Sequence, residues 1–391
     1  MKRYCNSALR SGILSRWGVN PSIRAFSSSA YRQKTGGLPV FQESTSPKLS
    51  TLLETLNSNI LLPRHLNADQ RRLVYQKKHA SRLENEPMYV QIGDVEMQLK
   101  HVDQVKDLPS RWSVLKQVVE LSKDQKDWDN VVKMLEGFYL AGIHLKPRQL
   151  VKLIRRANQA NMQHIVLRAL QQVKTTGLSL KNPEILEAVL IGIRNKASQS
   201  GWEPESTKKA LAFTEQVMEL MENPEHLGTS FAKSGDPRAS PLVIALPLEL
   251  AVIRAARHLD GKDADGKVKI YAVRLMSAFK QDNFLKVSLP GLLSELKGPE
   301  EVVSGKTKVV VEEYYSLAEK VMKWLPVWHG LRIASSEVLG EDMPMLEDAQ
   351  TVIDLVDKRL AAAADAIRKV CRSGVEPDKL PCIQALKECG R

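Results

Sequence analysis

The sequence predicts an all-α fold, an α-solenoid built of helical hairpins, and three observations support this. Aromatic residues make up only 5% of the chain, which is few for a β-sandwich or β-barrel whose strands rely on aromatic and β-branched residues. From Pro109 onward, apolar residues recur with the 3.6-residue period of helices. A short pattern also returns after 35 residues, as stacked helical hairpins require.

The first part of the chain has the composition of a targeting segment. Residues 1–42 contain seven Lys and Arg, no Asp or Glu, and many Ser, which is typical of a mitochondrial presequence. Arg24, Phe26 and Ser27 mark the expected cleavage region. We therefore predict a disordered presequence at residues 1–33 and import into the mitochondrial matrix. A chloroplast transit peptide and a disordered basic tail are the alternatives.

The next two segments differ in their regularity. Residues 34–65 begin with Gly, Pro, Ser and Thr, which predicts a flexible linker. Residues 66–106 begin with a polar, basic helix. They continue with an alternating apolar pattern interrupted by Gly93-Asp94, which predicts one small β-hairpin near residues 89–102.

Two helical regions follow, at residues 107–225 and 241–391. Whether residues 225–345 continue the solenoid or form a separate bundle is left open by the pattern. No stretch is long and apolar enough to predict a transmembrane segment. The predicted helices are Ser110–Ser122, Trp128–Ala141, Pro147–Gln159, Met162–Thr175, Pro183–Lys196, Glu205–Met221, Pro241–Leu259, Lys267–Lys280, Lys308–Trp324, Leu346–Arg372 and Asp378–Cys389.

A repeated motif suggests a family resemblance. Residues 142–146, Gly-Ile-His-Leu-Lys, return at 177–181 as Gly-Leu-Ser-Leu-Lys, and Gly374–Asp378 reads Gly-Val-Glu-Pro-Asp. The chain thus resembles the pentatricopeptide-repeat (PPR) family, whose 35-residue helical hairpins commonly end in Gly-Val/Ile-x-Pro-Asp. The resemblance covers residues 110–225 and 347–391. It implies an organellar protein that binds single-stranded RNA, one base per repeat.

One predicted helix carries a basic face. Residues 137–183 contain eight Lys and Arg and no acid. In the helix that begins at Pro147, apolar residues from Leu150 to Ala157 share one side. The opposite side carries the predicted RNA-binding cations Arg148, Lys152, Arg155 and Arg156. Such cations suit phosphate contact, and Asn158 and Asn161 could bond bases. A solvated face and an acidic protein partner are the alternatives.

A second basic face is predicted in the polar helix after residue 66. Arg71, Tyr75, Lys78 and Arg82 are spaced i, i+4, i+7 and i+11. The Tyr75 ring among these cations could stack on a base, so the four residues are predicted to assist RNA binding. The alternatives are a solvent-exposed linker helix and docking on a partner.

No catalytic motif is found. Ser304–Thr307 resembles the end of a P-loop, but position 300 is Glu where the motif needs Gly. The spacings of Cys371, Cys382 and Cys389 lack a Cys-x-x-Cys pair, which disfavours a zinc site. The sequence therefore predicts no enzyme activity, no cofactor and no metal.

The combined interpretation is a binding protein of the mitochondrial matrix. The leading hypothesis is association with mitochondrial RNA or the mitoribosome in mitochondrial gene expression, through transcript stability, translation or ribosome structure. The alternative is an assembly factor that binds subunits of a respiratory-chain complex, because the concave surfaces of helical repeats serve both uses.

Overall fold

A computed structural model describes residues 37–93, 95–228, 231–232, 235–302, 307–371 and 376–390. The all-α prediction is confirmed, since helices dominate the described residues and the strands form one two-stranded sheet. The predicted presequence, with Arg24, Phe26 and Ser27, and the first two residues of the PPR-like closing motif, Gly374 and Val375, lie outside the described residues.

The segment predicted as a flexible linker is largely helical. It contains α1 (Pro47–Thr55), a π-helical turn at Leu56–Leu61, and α2 (Leu62–His65). The linker prediction is wrong for this part because its leucines recur at helical spacing and are buried. They include Leu49, Leu53, Leu56 and Leu61.

The extended residues before α1 are also fixed in place. They run along α6 (Gln125–Leu140). Asn130 accepts from the backbone N–H of Gln42 at 2.8 Å and donates to its carbonyl at 2.9 Å. The buried Asp127 carboxylate accepts from the Thr45 hydroxyl at 2.6 Å. Burial opposes ionisation there, but the hydrogen bonds from Thr45 and nearby amides hold the pKa of Asp127 below its usual value.

The predicted polar helix is divided. The helix α3 (Ala68–Tyr75) starts at an Asn67–Gln70 capping box. It ends because Gln76 is extended, with φ −86° and ψ 119°. A 3₁₀ turn at Lys77–His79 then leads to α4 (Ala80–Asn85).

The predicted hairpin is confirmed. The strands β1 (Tyr89–Ile92) and β2 (Val95–Gln98) pair antiparallel, with Ile92 opposite Val95 at the turn. Gly93 has φ +61°, a conformation that glycine adopts without steric cost.

The next helices match their predictions closely, except that the helix predicted at Met162–Thr175 is divided at Gln172 into two helices. Besides α6 they are α5 (Arg111–Leu121), α7 (Pro147–Gln159), α8 (Gln163–Gln171), α9 (Val173–Thr176), α10 (Pro183–Gln199) and α11 (Pro204–Met221). The repeated motif marks equivalent turns: Gly142 and Gly177 have φ +69° and +68°, and each turn leads to a helix that begins with Pro. The helices α7 and α10 after these turns pack against each other, as α6 packs on α9 and α8 on α11.

The C-terminal region begins with α12 (Pro241–His258), which is buried along most of its length, and five α-helices follow it among the described residues. They are α13 (Lys267–Lys280), α14 (Phe284–Ser294), α15 (Thr307–Ile333), α16 (Leu346–Val370) and α17 (Pro381–Glu388). The prediction missed α14 and ended α15 at Trp324. Instead α15 continues through Pro326, because Leu325, Val327 and Leu331 are fully buried and packing stabilises the helix beyond the proline. Among the described residues, no helix combines the length and apolar character needed to span a bilayer.

Candidate nucleic-acid interface

The helix α7 presents the basic face where the sequence places it. Val151, Leu153, Ile154 and Ala157 are buried between α5 and α10, so the helix cannot rotate its cations away from the surface. All four predicted cations are exposed: Arg148, Lys152, Arg155 and Arg156. We call them the α7 basic face.

Tertiary contacts make these four cations unequal. Arg155 lies 3.7 Å from the Glu319 carboxylate on α15, so an acid distant in sequence partly neutralises this end of the face. The Lys152 ammonium lies 5.7 Å from the centroid of the Trp112 ring, a cation–π distance. Arg148 and Arg156 form no ion pair in the described part of the chain.

Asn158 is a packing residue, which corrects its predicted role in base recognition. Its Nδ2 donates to the carbonyl of Ala188 at 3.0 Å. A Cβ atom at Gly192 would come within 1.8 Å of the same nitrogen, so glycine at that position lets α7 and α10 approach closely. Asn161 is exposed, in the turn after α7, with φ +60°.

The second predicted basic face does not form as one surface. The break at Gln76 ends the helical register, so the spacing of Arg71, Tyr75, Lys78 and Arg82 no longer places them on one side. Lys78 lies in the 3₁₀ turn. Arg82 on α4 pairs with Glu86 at 3.5 Å.

Arg71 and Tyr75 instead meet two other arginines, Arg64 from α2 and Arg111 from the start of α5, at a pocket of about 360 Å³. We call it the cationic pocket. Burial raises the pKa of the Tyr75 phenol, while the three nearby guanidinium charges act in the opposite direction. Helical spacing could not reveal Arg64 and Arg111, because they lie on other helices than Tyr75.

A buried charge cluster was also missed. Arg194 on α10 donates from Nε and Nη2 to the two carboxylate oxygens of Glu249 on α12, both at 2.8 Å. His329 on α15 donates from Nδ1 to Glu249 Oε1 at 2.7 Å. Arg194 Nη2 also contacts Cys389 Sγ at 3.3 Å. Separations of 55, 80 and 195 residues leave no local pattern that could have revealed it.

Glu249, His329 and Cys389 have the residue types and proximity of a metal site. However, the Arg194 guanidinium occupies both carboxylate oxygens, and its charge would repel a cation. Burial raises the pKa of the Cys389 thiol to about 12, so this thiol is protonated at neutral pH beside the Arg194–Glu249 pair. The cluster therefore joins α10, α12, α15 and the chain end structurally.

Two comparisons with known proteins identify the family to which this chain is related. A family model described as mitochondrial ribosomal protein mS27 matches residues 24–381. The small ribosomal subunit protein mS27 of Neurospora crassa is 27% identical over 242 residues. That alignment covers 59% of this chain and 61% of the relative. Because the family model matches most of the sequence, the chain belongs to the mitochondrial ribosomal protein mS27 family.

Proposed function

We propose that this protein is a component of the small subunit of the mitochondrial ribosome and acts in mitochondrial translation by binding, without catalysis. The observation that carries the proposal is the family match over residues 24–381. The family implies a mitochondrial protein. The basic, Ser-rich composition of residues 1–42 supports a more specific location, the matrix.

We propose that the α7 basic face contacts RNA phosphates. Its cations project from a helix whose other side is buried. The backbone that carries them is therefore already ordered and loses little conformational entropy on binding. Arg148, Lys152 and Arg156 are the main candidates, with Arg155 weakened by Glu319. Contacts of this kind add affinity without sequence preference. The 35-residue spacing of the turns before α7 and α10 supports PPR-like units in this region.

Sedimentation tests the ribosomal role. The tagged chain, expressed in mitochondria, should migrate with the small subunit in a density gradient. Removal of RNA by nuclease should release it into the light fractions. A chain that stays in the light fractions in untreated extract would contradict the proposal.

Charge reversal tests the α7 basic face. We expect Arg148→Glu/Lys152→Glu/Arg156→Glu to lose RNA crosslinks in intact mitochondria. The remaining binding should weaken less steeply with salt, by roughly 0.7 to 0.9 in logarithmic slope for each lost phosphate contact. The matched control is Lys208→Glu/Lys209→Glu/Lys262→Glu, three exposed lysines elsewhere. Equal crosslinking of the two variants would contradict the proposal that α7 contacts RNA.

The alternative hypothesis, an assembly factor for a respiratory-chain complex, receives no support from the comparisons. The sedimentation experiment separates the two roles, since an assembly factor would remain with membrane-complex subunits after nuclease treatment.

A further inference from the structure

The cationic pocket combines three positive charges with an aromatic ring. Arg64, Arg71 and Arg111 come from three different helices and converge on Tyr75. All three arginines are exposed and Tyr75 is partly buried. Because these helices are separate elements of the chain, their meeting at one pocket depends on the tertiary fold.

Within the part of the chain that the structure describes, no acidic side chain neutralises the positive charge of this pocket. None of the three arginines forms an ion pair with any residue that the structure describes, and no acid lines the pocket. Asp103 and Asp107 each precede a residue of the pocket lining, Gln104 and Leu108. Their carboxylates instead accept hydrogen bonds from backbone N–H groups of their own loop. Asp103 Oδ1 accepts from the Val105 N–H at 2.9 Å, and Asp107 Oδ2 accepts from the Asp103 N–H at 3.0 Å.

Three uncompensated guanidiniums repel one another, so their convergence favours an anion that binds several of them. Arginine presents a planar set of donors that fits phosphate oxygens. A carboxylate would satisfy the same charge, and charge alone does not separate RNA from an acidic peptide.

The remaining lining favours a nucleotide. Tyr75, Ile60 and Leu108 all line the pocket, so it offers an aromatic ring together with apolar groups, and bases stack on aromatic rings of this kind. Gln104 at the rim is exposed and offers an amide donor and acceptor for a base edge. An acidic side chain needs neither the ring nor the amide, and the pocket volume of about 360 Å³ is in the range of small-ligand sites.

We propose that the cationic pocket binds one unpaired nucleotide of RNA, with its base stacked on Tyr75 and its flanking phosphates held by Arg64, Arg71 and Arg111. The inference rests on the proposed ribosomal function, because that function brings RNA to the protein. It adds a site separate from the α7 basic face, with a different chemistry: stacking in addition to charge.

The test uses the purified full chain and a fluorescent single-stranded RNA of ten nucleotides, with 4-thiouridine at one position for photo-crosslinking. We expect a crosslinked peptide that contains Tyr75. The Tyr75→Leu variant, which keeps the apolar bulk, should bind about 5- to 100-fold more weakly, while Tyr75→Phe keeps the ring and should bind within about 2-fold of wild type.

The arginines are tested separately. Arg64→Gln/Arg71→Gln/Arg111→Gln should lower the logarithmic salt slope by up to about 2, as expected for three single-strand phosphate contacts. The matched control Lys208→Gln/Lys209→Gln/Lys262→Gln removes the same charge from exposed positions and should keep the Tyr75 crosslink. Circular dichroism of each variant verifies that the helices are intact.

The results separate this inference from the proposed function. Failure of the wild type to sediment with the small subunit would contradict the ribosomal role. Two results would overturn the nucleotide-binding proposal alone, provided that the wild type sediments with the small subunit. One is RNA binding of Tyr75→Leu equal to that of the wild type, and the other is no binding of the oligonucleotide by the wild type. Displacement of the RNA by decaglutamate, with Tyr75→Leu equal to wild type, would assign the pocket to an acidic peptide.

Discussion

The buried charge cluster and the cationic pocket both depend on arginine, but the guanidiniums have opposite surroundings. Arg194 is fully buried and its charge is matched by Glu249. Arg64, Arg71 and Arg111 are exposed around one ring with no acid in the lining. A buried charge must be compensated within the fold because water cannot solvate it. An exposed charge is solvated by water, so it needs no partner within the fold and can bind one from outside. The cluster therefore stabilises the fold, whereas the uncompensated charge of the pocket is the basis on which we propose that it binds RNA.

The largest expected effect comes from breaking the buried cluster. Arg194→Gln leaves the Glu249 carboxylate without its main partner, which we expect to lower the free energy of unfolding by about 3–5 kcal/mol. Urea denaturation of the purified chain measures this change. The double variant Arg194→Gln/Glu249→Gln removes both charges and should recover part of the loss. A double variant no more stable than Arg194→Gln would show that the charge is not the cause.

A smaller effect is the pH dependence of the stability that the Glu249 carboxylate contributes. Burial opposes ionisation of Glu249, but Arg194 and His329 outweigh it and hold its pKa well below the usual range. A carboxyl with a lowered folded-state pKa stabilises the fold above its unfolded-state pKa, about 4.3. This stabilisation is lost as pH falls toward the folded-state value. The stability advantage of wild type over Glu249→Gln should therefore shrink below about pH 4.3. An advantage that stays constant would contradict the ionised state.

The packing beneath the α7 basic face gives the next effect. Gly192→Ala would place a methyl group against the Asn158 amide, and we expect a loss of about 1–3 kcal/mol from overpacking, despite the better helix propensity of alanine. The double variant Gly192→Ala/Asn158→Ala makes room for the methyl group, so its loss should be smaller than the sum of the single losses. Additive losses in thermal or urea unfolding would mean that the two residues do not compete for space.

The smallest stability effect is expected in the cationic pocket. Arg64→Gln, Arg71→Gln and Arg111→Gln should each change the free energy of unfolding by less than about 0.5 kcal/mol, because no ion pair is lost. Arg194→Gln is the matched control, with the same substitution in buried surroundings. A large loss in the pocket variants would indicate that these arginines hold α2, α3 and α5 together, which would remove the contrast between the two regions.

Much of the fold was predictable from local pattern. The helices α7 and α13 begin and end where periodicity, Pro and Gly place them, because their apolar spacing and their end signals agree. The segment at residues 47–65 was misread because its neighbouring Gly, Pro and Ser suggested a linker, although its leucines have helical spacing. The continuation of α15 past Pro326 was also missed, since burial of the residues after the proline is a tertiary effect.

The candidate sites divide in the same way. The α7 basic face was predictable because its cations and its apolar side lie within one helix, so 3.6-residue periodicity is sufficient. The partial neutralisation of Arg155 was not predictable, because its partner Glu319 belongs to a helix that is distant in sequence. The second face failed as a prediction since a single extended residue, Gln76, ends the helical register.

The sequence by itself determined the helical class, the position of most helices, the hairpin and the charge of the α7 face, because each follows from interactions between residues close along the chain. Only the tertiary structure decided which arginines are compensated. Arg194 meets Glu249 across 55 residues, and Arg64 and Arg111 meet Tyr75 from separate helices. Coulomb interactions depend on distance in space and on burial, and the order of residues along the chain specifies neither directly.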